Sequence, residues 1–172
     1  DGDPDVLSAT AITNTLAWHE NQGGQASLAV VSQAPPTANN SDVVSMLRAT
    51  VTHLGRPGDG PLELASLGLR FEESPGDPLT SAEANALVES LRVYRDANGN
   101  GVFEPAVDTL ISTTPPLALS GGVQTVLFAD GDPNVAATPG FPATFFVVVE
   151  LTANASGQIP NQLMATLLQA GP

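Results

Sequence analysis

The chain has 172 residues, a formal net charge of −13, and neither Cys nor Lys. Without Cys there are no disulfides, thiolate metal sites or cysteine nucleophiles; without Lys there is no Schiff-base chemistry and no P-loop phosphate clamp. The negative balance repels nucleic acid and anionic membrane surfaces, and favours cations as small partners.

A chain of this length suits one domain that buries roughly 70% of its unfolded surface. Only 13% of residues are charged, so Ser, Thr, Asn and Gln must supply most of the polar surface. No run of 18 apolar residues occurs, so no membrane span is expected. The opening Asp1-Gly2-Asp3-Pro4-Asp5 carries no basic-plus-apolar leader and is read as a processed end or an artificial boundary.

Fifteen Pro and sixteen Gly break the chain into short apolar runs, which favours strands over long helices. The first run is Val6 to Trp18, closed by a turn at Asn21-Gln22-Gly23-Gly24. Leu28 to Val31 is a second strand, and Pro35 to Asn40 a loop. In Leu47 to Leu54, Leu47, Ala49 and Val51 alternate with Arg48, Thr50 and Thr52, the period of a half-buried strand. After a turn at Arg56 to Pro61, Leu62 to Phe71 changes phase. Leu62 and Leu64 lie on even positions, and Leu67, Leu69 and Phe71 on odd ones. A β-bulge at Ala65-Ser66 would restore one buried face.

Thr80-Ser81-Ala82-Glu83 fits a capping box, and Ala84, Leu87, Val88 and Leu91 follow at helical spacing. A short helix is expected over about 81–90, with strand resuming at Leu91 to Arg95. Val107 to Ser112, Val123 to Phe128, Ala143 to Thr152 and Gln162 to Leu168 are further strands. Phe145-Phe146-Val147-Val148-Val149 is apolar on both faces, which predicts a central strand covered twice. The expected fold is mainly β, an antiparallel β-sandwich of about eight or nine strands with one short helix. Residues 1–12 form an N-terminal strand or donor segment, and 13–172 the sandwich domain.

One loop places oxygen-bearing side chains at its first, third, fifth and ninth positions: Asp96, Asn98, Asn100 and Glu104. Gly101 at the sixth position permits the sharp turn that lets them converge. Ca²⁺ takes six to eight oxygen ligands, so this spacing makes Ca²⁺ the expected cofactor. The loop resembles the Asp-x-Asp-x-Asp-Gly calcium loops of dockerins, thrombospondin type 3 repeats and EF-hands, over about thirteen residues. The resemblance implies the backbone carbonyl of Val102 as a further ligand. It departs at the twelfth position, which is Val107; Asp108 comes one residue late and would serve only if the loop bulges. Two Asn in place of Asp lower the charge, so the expected Kd is on the order of 10⁻⁴–10⁻³ M. The alternative is a plain turn without an ion. Asp130-Gly131-Asp132-Pro133-Asn134 and Asp1-Gly2-Asp3 are read mainly as solvated turns.

His19 and His53 have no partner at zinc spacing, no Gly-x-Ser-x-Gly occurs, and both are read as surface residues. Glu72, Glu73, Glu89 and Glu150 have no row of aromatics to line a sugar cleft beside them. Asn39-Asn40-Ser41 and Asn154-Ala155-Ser156 match the glycan acceptor pattern. The expected function is therefore non-enzymatic: a secreted or cell-surface structural protein that associates with identical subunits or neighbouring modules. The apolar, small-residued segment carrying Val6, Leu7, Ala9, Ala11 and Ile12 is either the first strand of its own sandwich or a donor that completes a neighbour's sheet, the latter with a weak resemblance to donor-strand filament subunits. The alternative is a carbohydrate-binding or adhesin module, which requires Trp18 and Tyr94 exposed on one face.

Overall fold

A computed structural model describes the backbone of residues 6–10, 15–19 and 26–171 and the side chains of residues 26–168 and 170. The chain is mainly β, with its strands in antiparallel sheets. Among the described residues, β1 (Val6–Thr10) and β2 (Thr15–His19) pair with each other, Val6 opposite His19, and with no other strand. The first apolar run is thus two strands of a hairpin joined to neither large sheet. Ala11, Ile12, Asp1-Gly2-Asp3 and the Asn21–Gly24 turn lie outside the described residues.

Two sheets face each other across the core. The larger has five strands in the order β3 (Ala26–Ser32), β4 (Val43–His53), β12 (Ala143–Leu151), β8 (Val88–Arg95) and β9 (Thr109–Thr114). The smaller has four strands. It runs β10 (Val123–Leu127), β6 (Ser66–Ser74) and β13 (Met164–Gly171), with the short β7 (Asp77–Pro78) pairing β6. β5 (Leu62–Glu63) and β11 (Ala136–Ala137) form a separate pair. The two facing sheets hold nine strands, as a sandwich of eight or nine requires.

Alternation dictates the packing. Phe145, Val147 and Val149 of β12 meet Leu67, Leu69 and Phe71 of β6 in one buried cluster. β12 lies between β4 and β8. Its intervening Phe146 and Val148 are buried on the opposite face, so this strand is covered twice.

The phase change after Leu62 is not a bulge. Leu64 N donates to Val135 O at 3.0 Å, and Phe128 N donates to Ala65 O at 2.9 Å. The chain leaves the β5–β11 pair at Leu64 and enters β6 at Ser66, and this change of sheet resets the buried face.

The helix α1 is shorter than the expected 81–90, spanning Ser81–Leu87. Its start is the capping box. Thr80 Oγ1 accepts from Glu83 N at 3.3 Å, and Glu83 Oε2 accepts from Thr80 N at 2.8 Å. Thr80 N and Thr80 Oγ1, both donating to Glu83 Oε2, hold the Glu83 carboxyl below the ordinary range, the Thr80 backbone contributing most. At the other end Thr152 takes the last carbonyls, its N donating to Leu87 O and its Oγ1 to Ala86 O. Val88, β-branched and extended (φ −113°), already pairs with Leu151 in β8. Thr80→Ala removes the cap and should cost about 1 kcal/mol in urea denaturation.

His53 is buried, which corrects its reading as a surface residue. Its Nδ1 accepts from Gly55 N at 2.9 Å, so Nε2 carries the proton it donates to Gly60 O at 2.8 Å. Both ring nitrogens thus pin the connection after β4. Four of the five arginines lie within strands, Arg48 in β4, Arg70 in β6, and Arg92 and Arg95 in β8; Arg56 sits in the His53-pinned connection. No helix among the described residues is long and apolar enough to cross a membrane.

Candidate functional site

The Asp96 loop joins β8 to β9 and folds back over the outer face of the larger sheet. The register sets a row across that face: Arg48 of β4, Phe146 of β12 and Tyr94 of β8. Phe103, in the middle of the loop, packs on this row. Its ring centroid lies 5.0 Å from Tyr94 and 5.7 Å from Phe146. Arg48 Nη1 donates to Gly101 O at 2.9 Å. One aromatic and one guanidinium therefore seat the loop on the sheet.

Gly101 has φ +72°, a left-handed conformation that favours glycine. A Cβ there would stand 2.9 Å from Arg48 Nη1. The glycine read as a turn residue also lets the arginine approach the backbone.

Two buried carboxylates knit the loop. Asp96 Oδ1 accepts from Gly99 N at 2.7 Å and Oδ2 from Gly101 N at 2.8 Å. Asp108 Oδ2 accepts from Glu104 N at 2.7 Å and Oδ1 from Ala97 N at 3.2 Å, tying the end of the loop to its beginning. Between them, Asn98 and Asn100 donate their Nδ2 groups to one atom, Glu104 Oε2, at 2.9 and 2.6 Å. Asn98 Oδ1 accepts from Asn100 N, and Asn100 Oδ1 from Val102 N.

The structure thus brings Asp96, Asn98, Asn100, Glu104 and Asp108 into one hydrogen-bonded network, with Val102 joined through its backbone. Among the described residues no group of three or more His, Cys, Asp or Glu is placed to hold a metal ion. The donor chemistry suits a hard cation, since each carboxylate oxygen that accepts one N–H keeps a second lone pair. Closing the ligands around an ion requires Glu104 to exchange its two amide donors for the cation.

Next to the loop, Arg95 lies on the core side of the sheet, its Cζ 5.3 Å from the Phe145 ring centroid. Its Nη1 donates to Asn134 O and Ala136 O. Burial pushes this guanidinium below its ordinary value, and the Asp96 carboxylate opposes that shift.

Nothing local in the sequence marks Phe103 and Arg48 as the pair that seats the loop. The available signal was Phe103 itself, a lone aromatic in a polar loop opposite a strand with apolar residues on both faces. Tyr94 is buried, only 6% exposed, so it cannot serve the exposed aromatic row that a carbohydrate-binding module needs. The Trp18 and His19 side chains lie outside the described residues. The Asp130 turn is closed on itself and its neighbour: Asp132 Oδ1 accepts from Asn134 N, and Gly131 N donates to Glu63. Glu150 pairs with Arg92, and Glu72 with Arg70.

No protein-family model matches the chain, and no curated protein matches it significantly.

Proposed function

We propose that the chain is an extracellular structural protein, a secreted β-sandwich that builds a surface filament or layer or forms one module of a long surface protein. It associates with copies of itself through its N-terminal segment, and Ca²⁺ at the Asp96–Asp108 loop stiffens it. It serves as material and not as a catalyst.

What supports this reading is the character of the sheet edges. β3, β9 and β13 at three edges of the two large sheets contain no charged residue or proline, nor does β10 at the fourth, although the short β7 beside it on β6 carries Asp77 and Pro78. Edge strands of proteins that stay apart usually carry such residues, because unpaired N–H and C=O groups recruit other chains. Here the hairpin at the start of the chain is joined to neither sheet.

Light scattering over a range of concentrations, with electron microscopy of the same samples at millimolar Ca²⁺, tests the reading. Ordered polymers that disappear when residues 1–12 are removed are expected. An intact chain that stays monomeric throughout would refute it.

The ion has its own test. With free Ca²⁺ tenfold above Kd, binding adds about 1.4 kcal/mol, which raises Tm by about 3–6 °C for a chain of this size. A chelator should reverse the gain. A calorimetric scan with no Ca²⁺-dependent shift would leave the loop as a self-satisfied turn.

A further inference from the structure

The smaller sheet stops short of the larger one. Leu28 and Val30 of β3 pair with Val51 and Ala49 of β4, so they lie on the core-facing side of the larger sheet. They nevertheless remain 42% and 41% exposed. The strand nearest them in the smaller sheet, β13, packs against β4 and does not shield them. β13 is itself an end strand, and Ala165, Leu167 and Ala170 along it are only partly buried. Where β4 and β13 begin, a cleft of about 560 Å³ opens between the sheets. Val44, Met46 and Val149 line its apolar part, and Glu73 is the single charged residue on its wall.

These features describe one missing strand. Strands in a sheet lie about 4.8 Å apart, so a strand added outside β13 would pair with its backbone and stand opposite Leu28 and Val30. The occupant must be extended and free of carboxylates, which would meet Glu73 and a chain of net charge −13. No charged residue lies between Asp5 and Glu20, the stretch that forms the β1–β2 hairpin. A two-stranded hairpin alone is at best marginally stable in water, so its strands gain from a third. The chain's own hairpin is joined to neither sheet.

We propose that β1 (Val6–Thr10) of one copy adds to the free edge of β13 of the next copy and covers its Leu28 and Val30. This rests on the self-association proposed above and assigns its acceptor. The contact joins two different surfaces, so its repetition runs head to tail, a filament where the rotation does not close it into a ring.

The lack of Cys makes the test direct. Full-length chains carrying Leu7→Cys, Ser8→Cys, Ala9→Cys or Thr10→Cys are each mixed with chains carrying Thr166→Cys and mildly oxidised. In parallel they are mixed with chains carrying Ser27→Cys on the edge strand β3. A disulfide forms only where Cα atoms come within about 7 Å. Heterodimers with Thr166→Cys and none with Ser27→Cys are the expected result. Coupling to Ser27→Cys alone, or no coupling in samples that light scattering shows to be polymeric, overturns the acceptor while self-association stands. A double variant, Ala9→Cys with Thr166→Cys, that closes only within one chain overturns the exchange between copies. Chains that stay monomeric at every concentration end the self-association reading and this assignment together.

Discussion

Phe146→Ala should lower the stability of the domain by about 3–5 kcal/mol. Phe146 is fully buried on the outer face of the larger sheet, between Arg48 and Tyr94 in the register and beneath the loop residue Phe103. Truncation leaves a cavity that the flanking strands, β4 and β8, cannot collapse to fill, because both are held in register with β12. Phe103→Ala should cost less, since Phe103 is only partly buried. The informative quantity is their coupling. If the loop is seated on the sheet by this ring contact, the double variant should lose about 0.5–1.5 kcal/mol less than the sum of the singles. Urea denaturation of the four proteins gives the cycle. Additive losses would show that the loop is held by its polar contacts alone.

Asp96→Ala should be the most damaging change within the loop, costing about 2–3 kcal/mol. The carboxylate accepts from both Gly99 N and Gly101 N, and methyl replacement strands those donors while Arg48 still holds Gly101 O. Asp96→Asn keeps one acceptor and should lose roughly half as much. The same pair of variants reports on the ion. Any rise in Tm with Ca²⁺ should vanish in Asp96→Ala, because the first-position oxygen is gone. A rise that survives would place the ion elsewhere in the molecule.

Several elements could be read directly from residue order because one local rule governed each. Phe145 to Val149 has no polar face, so the only stable place for it is between two covers. Thr80 and Glu83 answer each other's free N–H groups, and that exchange needs no tertiary partner. Other features depended on partners distant in sequence. Leu62 to Phe71 looks like one strand with an irregularity, because nothing local shows that Val135 and Phe128 hold the chain on either side of the break. Val88 suits helical spacing, but Thr152 takes the carbonyls of Ala86 and Leu87, and Val88 pairs into the sheet.

The loop shows the same division. Its alternation of Asp, Asn and Gly marks the side chains that converge, and Asp96, Asn98, Asn100, Glu104 and Asp108 do share one network. Spacing alone could not reveal that Asp108 turns inward to Ala97 and Glu104 N, or that Phe103 anchors the loop. Asp108's partners are backbone groups, which carry no side-chain signal, and Phe103's seat is Phe146 of β12, distant in sequence. His53 lacked a signal for the same reason: its partners, Gly55 and Gly60, are backbone groups.

The placement of the arginines carries a consequence for survival in a degradative environment. Digestive enzymes of the trypsin type cut after Lys or Arg and need several residues of slack chain around the bond. This chain has no Lys, and Arg48, Arg70, Arg92 and Arg95 are each locked into a paired strand. Arg56 alone lies in a connection, and the residue after it is Pro57, whose ring blocks the extended fit that cleavage requires. Once folded, the domain should therefore resist such enzymes, since every bond they could cut is held in a paired strand or followed by proline.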